Sequence, residues 1–378
     1  KYDVVVTNPP YMGGKGMSGK LSDFVKKRFP DSKSDLFACF IERGFKWIKS
    51  GKFNTMVTMQ SWMFLSSLER MRAKILSQFT IVTMAHMANM VLGIAFGTVA
   101  AVFRNIALPL YKGSYSYTEL TDINENGEPF EFPVRNDRLN VASTVDFEKI
   151  PGSPVAYWVS DRVREIFKNS ESLRNIAEPR QGLATSDNSR FLRLWYEVIN
   201  KKIGYGYLNK EGAGKRGLKW FPYNKGGEFR KWYGNNEYTI NWEGNGREVL
   251  EYAGQLYGSP TRTIKNIPYY FKESITWSFI SSSNFGVRYC PQGFIFDVGG
   301  SSVFLDKNKI CYITAFLCSK LVFEFLKMLN PTLNFQAGNI ASLPIIFPSD
   351  PSIKTLIDTL ADENIHISRR DRDSFATS

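Results

Sequence analysis

Apolar residues in the first hundred positions switch between strand-like runs and helical spacing. Residues 2–7 form a short hydrophobic run that ends in Asn8-Pro9-Pro10-Tyr11, so a strand is expected there. Residues 35–44 carry apolar side chains at helical spacing, and the turn Lys49-Ser50-Gly51-Lys52 follows. A buried-strand run covers 53–59, and 65–77 has helix-forming composition with Leu68, Met71, Ile75 and Leu76 on one face. From Met90 the chain reaches Phe96-Gly97 and then an apolar stretch to Arg104, which reads as a turn entering a strand. Strand, helix, strand, helix, strand is the order of an open α/β sheet, whose sites form beyond the carboxyl ends of the strands.

Beyond Arg104 the pattern changes. Residues 113–145 are polar, with turn residues at Asn124-Glu125-Asn126-Gly127, and 153–168 predicts a connecting helix after Ile150-Pro151-Gly152. A new region opens near Ala177-Glu178-Pro179, with short aromatic-rich strands at 294–298 and 303–305, two helices within 310–329, and a tail after Pro348 that is expected to fray or run on into more protein. These shifts divide the chain into an α/β domain at 1–112, a connector at 113–176, a second domain at 177–348 and a tail at 349–378. A length of 378 residues suits two or more separate cores.

Charge adds a partner to this picture. The chain holds 48 Lys and Arg against 36 Asp and Glu, a formal net charge of +12, and its pI is near 9.3. Basic charge attracts phosphate by counterion release, and the 15% aromatic residues can stack on bases or build a core. Residues 201–233 concentrate nine Lys and Arg, two acidic residues, eight aromatics and seven glycines. That stretch reads either as a nucleic-acid surface or as a solvated face. Four cysteines without paired spacing and two histidines argue against a metal site or a disulfide scaffold. Neither a signal peptide nor a membrane-length apolar run is seen, which fits a cytoplasmic protein.

Asn8-Pro9-Pro10-Tyr11, directly after the hydrophobic run at 2–7, resembles the catalytic tetrapeptide of DNA amino-methyltransferases, and the resemblance implies methylation of an adenine amino group. An exocyclic adenine amino group is a poor nucleophile because its lone pair is delocalised into the ring. Methylating it needs acceptors that draw on its N–H bonds as the nitrogen turns tetrahedral. The Asn8 side-chain oxygen and the Pro9 carbonyl suit that task, Pro9 and Pro10 stiffen the backbone that aims them, and Tyr11 supplies a face for a base flipped out of its duplex. The bland reading is a strand-terminating turn, which Asn followed by two prolines makes in any case.

This tetrapeptide after a hydrophobic strand, with Phe96-Gly97-Thr98-Val99-Ala100-Ala101-Val102-Phe103 downstream, resembles the γ-type adenine-N6 DNA methyltransferases. It is most similar to the PglX-type methylases of BREX phage-defence systems. The resemblance implies an α/β fold made of the rear half of a Rossmann-like methyltransferase sheet, followed by a helical connector and an α+β target-recognition domain. It implies S-adenosyl-L-methionine as cofactor, with Phe40 against its adenine, and Phe96 opposite Tyr11 across the flipped base. For both phenylalanines the alternative is an ordinary core ring. The segment from Gln181-Gly182 to Phe191 resembles the opening of such a recognition domain, and 333–344 its closing element. In this family the glycine-rich turn and ribose carboxylate for the cofactor precede the catalytic strand. A chain that starts on that strand is therefore expected to be the rear part of a larger enzyme, inactive by itself.

Residues 14–20, Gly-Lys-Gly-Met-Ser-Gly-Lys, satisfy two phosphate-loop patterns but lack their context: Leu21 stands where Ser or Thr is needed, and the strand-to-helix turn is already taken by the tetrapeptide. A mobile basic loop beside the substrate pocket is expected instead. Candidate contacts to double-stranded DNA are Lys15, Lys20, Arg180, Arg190, Lys215, Arg216, Lys219, Lys225 and Arg230. Asn188 and Asn224 have the groups to read adenine edges, although asparagine in loops is more often a turn former. Two functions remain open: a site-specific adenine-N6 DNA methyltransferase of a defence or restriction-modification system, and a non-catalytic DNA-recognition module docked in a defence complex with other proteins.

Overall fold

The computed structural model describes residues 1–214, 217–281, 284–332 and 334–376. The chain divides into two compact units, Lys1–Asn169 with Met328–Pro331, and Ser170–Lys327 with Thr332–Ser378. Among the described residues no helix is long and apolar enough to cross a membrane.

The first unit is built on β1 (Tyr2–Thr7), α1 (Gly19–Arg28), α2 (Leu36–Trp47), β2 (Ile48–Met59), α3 (Glu69–Gln78), β3 (Thr80–Met87) and β4 (Thr98–Arg104). It continues with β5 (Gly113–Thr118), β6 (Asn140–Ala142), α4 (Thr144–Phe147) and α5 (Asp161–Asn169). Six strands form one mixed sheet in the order β1-β2-β4-β3-β5-β6. β1 and β2 run parallel, as a strand-helix-strand crossover requires, whereas β4 inserts antiparallel between β2 and β3.

Register assigns the faces. Thr58 lies opposite Val99, Val99 opposite His86 and His86 opposite Tyr117, so these four side chains share one face, as does the row two residues away that holds Met56, Ala101, Met84 and Tyr115. The core gathers on this side, where Phe37, Ile41 and Phe45 of α2 and Met71 and Ile75 of α3 meet the sheet. The opposite face is open: Val4 and Val6 are exposed and Phe53, Val57 and Val102 only half-buried.

Several expectations need adjusting. β3 was not foreseen, because it is buried on nearly its whole length and shows no clean alternation. The polar stretch after Arg104 supplies β5 and β6 to the sheet. The helix expected over 153–168 shrinks to α5, because Gly152 and Ser153 have positive φ angles and the next residues run as a buried plug of Val155, Ala156, Tyr157 and Val159. Arg72 of α3 fixes that plug: its buried guanidinium donates to the carbonyls of Gly152, Ser153, Trp62 and Leu65, and burial lowers its pKa to about 10.

The second unit begins with β7 (Glu171–Ser172), β8 (Ala177–Arg180), α6 (Asn188–Phe191), β9 (Leu192–Leu194), α7 (Lys210–Gly214), β10 (Trp220–Asn224), β11 (Tyr238–Asn241) and α8 (Glu243–Tyr257). It goes on with β12 (Ser274–Trp277), β13 (Val287–Cys290), β14 (Ile295–Phe296), β15 (Ser302–Leu305), α9 (Ile310–Leu317), α10 (Lys320–Leu329), α11 (Ala337–Ala341), β16 (Pro344–Ile345) and α12 (Pro351–Ala376). Two four-stranded sheets result, β14-β10-β11-β9 and β13-β12-β15-β8, and β16 pairs with β7. The two helices expected within 310–329 are present as α9 and α10. The tail does not fray: α12 is a 26-residue helix that packs on α9 and buries Ala361 and Ile365.

Candidate active site

The tetrapeptide lies immediately after β1, held from both ends. Pro9 is buried while Asn8 and Pro10 are exposed. After Tyr11 the chain is clipped to the start of α2: Leu36 N–H donates to the Met12 carbonyl at 3.0 Å, and Met12 N–H donates to the Asp35 carboxylate at 3.0 Å. The same carboxylate caps α2 by accepting from Phe37 N–H. One aspartate therefore fixes the helix start and the backbone that follows the motif.

Tyr11 is wedged between two rings. Its centroid is 6.1 Å from Phe37 and 5.6 Å from Phe96, both edge-on at 89° and 69°. Its hydroxyl donates to Asn8 Oδ1 at 3.2 Å and, more weakly, to the Val57 carbonyl at 3.4 Å. Burial raises the Tyr11 pKa, so the hydroxyl stays protonated and acts as a donor. Phe96 is 36% exposed and follows a turn in which Met90 and Leu92 have positive φ angles of 71° and 57°, a conformation that costs non-glycine residues energy. Phe40, one turn along α2 from Phe37, is half-buried against the core.

Behind Phe96 lies a polar chain that sequence reasoning missed. Gln60 N–H donates to the Gly97 carbonyl at 3.0 Å. The Gln60 side-chain oxygen meets His86 Nε2 at 2.6 Å, and His86 Nδ1 meets the Tyr157 hydroxyl at 3.0 Å. His86 is 5% exposed, and burial lowers its pKa to about 4, so the ring is neutral near pH 7. A single histidine at a strand end carries no sequence signal for this role.

The basic candidates are dispersed. Lys15 and Lys20 are exposed, but the glycine-rich loop is shorter than expected: Ser18 caps α1, which already contains Gly19 and Lys20, and Met17 is buried against Val25, Phe29 and Cys39. Arg180 pairs with Glu178 and lies over Tyr269 at 5.0 Å. Arg190 pairs with Glu248 at 2.8 Å and lies over Tyr252 at 4.9 Å. Lys225 approaches Asp297 at 3.6 Å and donates to Asn188 Oδ1 at 3.2 Å. Lys219 is exposed beside Trp220, and Arg230 is half-buried. Lys215 and Arg216 lie outside the described residues. Asn224 is buried and accepts from Gly226 N–H, which makes it a turn former.

A parallel strand leading into Asn-Pro-Pro-Tyr, in a sheet whose fourth strand runs antiparallel to both neighbours, gives the first unit an α/β fold found in restriction-modification enzymes. It is shared with the Type IIL restriction-modification enzyme MmeI, solved in complex with DNA, at a TM-score of 0.61 and 14% identity, over 94% of this chain and 48% of that one. The Type ISP restriction-modification enzyme LlaGI, a nuclease-deletion mutant solved with a DNA substrate mimic, gives 0.50 and 10%, over 95% of this chain and 41% of that one. Residues 1–91 match the family model of the Eco57I restriction-modification methylase.

Sequence similarity is closer to two particular proteins. The adenine-specific methyltransferase BrxX of Escherichia coli O9:H4 (strain HS) is 39% identical over 384 residues, covering all of this chain and 30% of the relative. The adenine-specific methyltransferase PglX of Lacticaseibacillus casei (strain Zhang) is 38% identical over 388 residues, covering all of this chain and 32% of the relative. The chain belongs to this family of adenine-specific methyltransferases and spans about 30% of these relatives' length.

Proposed function

We propose that the protein methylates adenine N6 at a specific double-stranded DNA sequence, with Asn8 at the reacting centre. The observation that carries this reading is the Asn8 side-chain oxygen directly after β1, within hydrogen-bond reach of a tyrosine whose ring faces a second, half-exposed aromatic. When the target amino group arrives it takes over the Asn8 acceptor, and the Val57 carbonyl keeps the Tyr11 hydroxyl bonded. The Pro9 carbonyl accepts the second N–H. These acceptors stabilise the nitrogen as positive charge develops on it, and the proton it then sheds passes to solvent.

The rings must move to admit a base. A base stacked on both faces needs the flanking rings parallel and about 7 Å apart, twice the carbon contact distance. Tyr11 and Phe96 now stand edge-on and closer than that, so Phe96, the more exposed ring, is the one that swings out. S-adenosylmethionine supplies the methyl group. Among the described residues Phe40, half-buried beside Tyr11's neighbour Phe37, fits one face of its adenine.

The second unit serves target recognition. Its basic residues Lys219, Lys225 and Arg230, with Arg180 and Arg190, and with Lys215 and Arg216, supply phosphate and base contacts, while Lys15 and Lys20 meet DNA beside the pocket. The protein acts in the cytoplasm, alongside other proteins of a phage-defence system.

The test is sequencing of N6-methyladenine in cells carrying the full-length gene, its Asn8→Ala variant or neither. The wild type should mark one sequence, and the purified Asn8→Ala enzyme should be slower by a factor on the order of a hundred or more at unchanged DNA affinity. Near wild-type methylation by the variant would refute the assignment.

A further inference from the structure

We propose that Gln60 and His86 are positioning residues for the base-flanking ring: they pin Gly97, so that Phe96 opens and closes about a fixed backbone point. The inference rests on the adenine-methylating function proposed above and adds residues that neither the motif nor the relatives' names assign.

The geometry is specific. Gln60 meets Gly97 with both its backbone and its side chain. Its N–H donates to the Gly97 carbonyl at 3.0 Å, and its side-chain amide packs against Gly97 so closely that a Cβ there would stand 2.3 Å from Gln60 Nε2. That amide would be free to rotate without a partner, and His86 supplies one. His86 Nε2 donates to Gln60 Oε1, and Nδ1 accepts from the Tyr157 hydroxyl. A neutral imidazole makes one donor and one acceptor bond, and the two partners between them select the tautomer with hydrogen on Nε2.

The anchor behind this chain is rigid. Tyr157 stacks on Tyr115 at 4.9 Å and 13°, and its neighbours Val155 and Ala156 are fully buried in the plug that Arg72 holds. Tyr117, Phe64 and Trp158 surround the imidazole at 4.8, 6.4 and 6.3 Å. The polar line thus runs from a fixed part of the core to the residue next to Phe96, and stops there. Phe96 itself keeps 36% of its surface exposed. A ring that must leave its contact with Tyr11 and return parallel to it needs a stationary pivot, since small misplacement of a flanking group lowers the rate steeply.

The alternative role for His86 is a satisfied core histidine that only stabilises the fold. The experiment separates the two on the full-length methyltransferase. His86→Phe removes both hydrogen bonds and keeps an aromatic ring among aromatic neighbours, Gln60→Leu removes the amide at similar volume, and His86→Gln restores a donor toward Gln60. Three readouts are taken: single-turnover methylation, DNA binding, and the fluorescence of 2-aminopurine at the target base, which reports flipping.

Positioning predicts that His86→Phe and Gln60→Leu slow single-turnover methylation on the order of 10- to 100-fold and alter the 2-aminopurine signal. DNA affinity should stay within about twofold, and His86→Gln should recover most of the rate. The proposal is overturned if His86→Phe, folded as judged by its melting curve, methylates and flips like wild type. It is equally overturned if Gln60→Leu behaves as wild type, or if rate loss occurs with an unchanged 2-aminopurine signal and no rescue by His86→Gln. A wild-type enzyme that leaves no N6-methyladenine would instead remove the function on which the proposal depends, and is seen before any variant is compared.

Discussion

Asn8 is exposed and Pro9 beside it is buried, so the tetrapeptide presents its acceptor while its backbone is locked in the core. Proline's fixed φ makes this pairing possible without a long hydrogen-bonded anchor. His86 shows the opposite economy, a polar side chain hidden entirely for what it holds. It also leaves a thermodynamic signature. The unfolded chain takes up a proton near the ordinary pKa of 6.5, whereas the folded chain resists it until about 4. This contribution to stability is therefore complete above about pH 6.5 and is lost as the pH falls toward 4, a difference on the order of 3 kcal/mol. Denaturant titrations of wild type and His86→Phe at pH 7.5, 6, 5 and 4 should show wild type losing stability relative to the variant as the pH falls. Parallel curves would show that the folded chain leaves His86 at its ordinary pKa, open to solvent.

At the scale of elements, local chemistry decides where chain segments begin and which backbones can touch. Asp35 caps α2 and Ser18 caps α1, which is why the glycine-rich segment between the tetrapeptide and α1 is shorter than its composition suggests. In the second unit Gly182 follows β8 and lies against β14, where a Cβ would stand 1.8 Å from the Phe296 carbonyl oxygen. Backbone cannot yield as a side-chain tip can. Gly182→Ala should therefore destabilise that unit by at least about 2 kcal/mol, seen as a lowered midpoint in denaturant, while Gly14→Ala, with open space around it, should change it by less than about 0.5 kcal/mol. Equal midpoints for the two variants would contradict the close approach.

For the whole molecule, the two units carry different halves of the proposed task. The open apolar face of the first sheet and the aromatic flank at Phe40 lead to the expectation that this chain alone binds S-adenosylmethionine weakly. Calorimetry should give a dissociation constant well above micromolar, which corresponds to about −8 kcal/mol, and micromolar binding would mean that the described residues hold more of the pocket than Phe40. DNA affinity should reside largely in basic residues of the second unit. Reversing Lys215, Arg216 and Lys219 to Glu should weaken duplex binding for all sequences and flatten its salt dependence by roughly one unit of slope for each phosphate no longer neutralised. Lys225 is a poorer choice for that test, because its neighbour Asp297 also accepts from the buried Tyr223 hydroxyl, and a carboxylate there would disturb the fold. An unchanged slope would identify the charge run as a solvated face.

The sequence by itself determined the Asn-Pro-Pro-Tyr turn after β1, the strand pair around α2, the amphipathic α3 and the turn into β4. Each is a local matter of periodicity, capping or a short motif with one mechanical meaning. The length and packing of α12 and the strands β3, β5 and β6 were decided by tertiary structure, since strands buried on both faces or recruited to a sheet edge have no periodic signature of their own. The same holds for the edge-on contact of Tyr11 with Phe96 and for the line from Tyr157 through His86 and Gln60 to Gly97. Its successive members are separated by 26 to 71 residues in the chain, and only the registers of β2, β3 and β4, with the plug pinned by Arg72, bring them within hydrogen-bond distance.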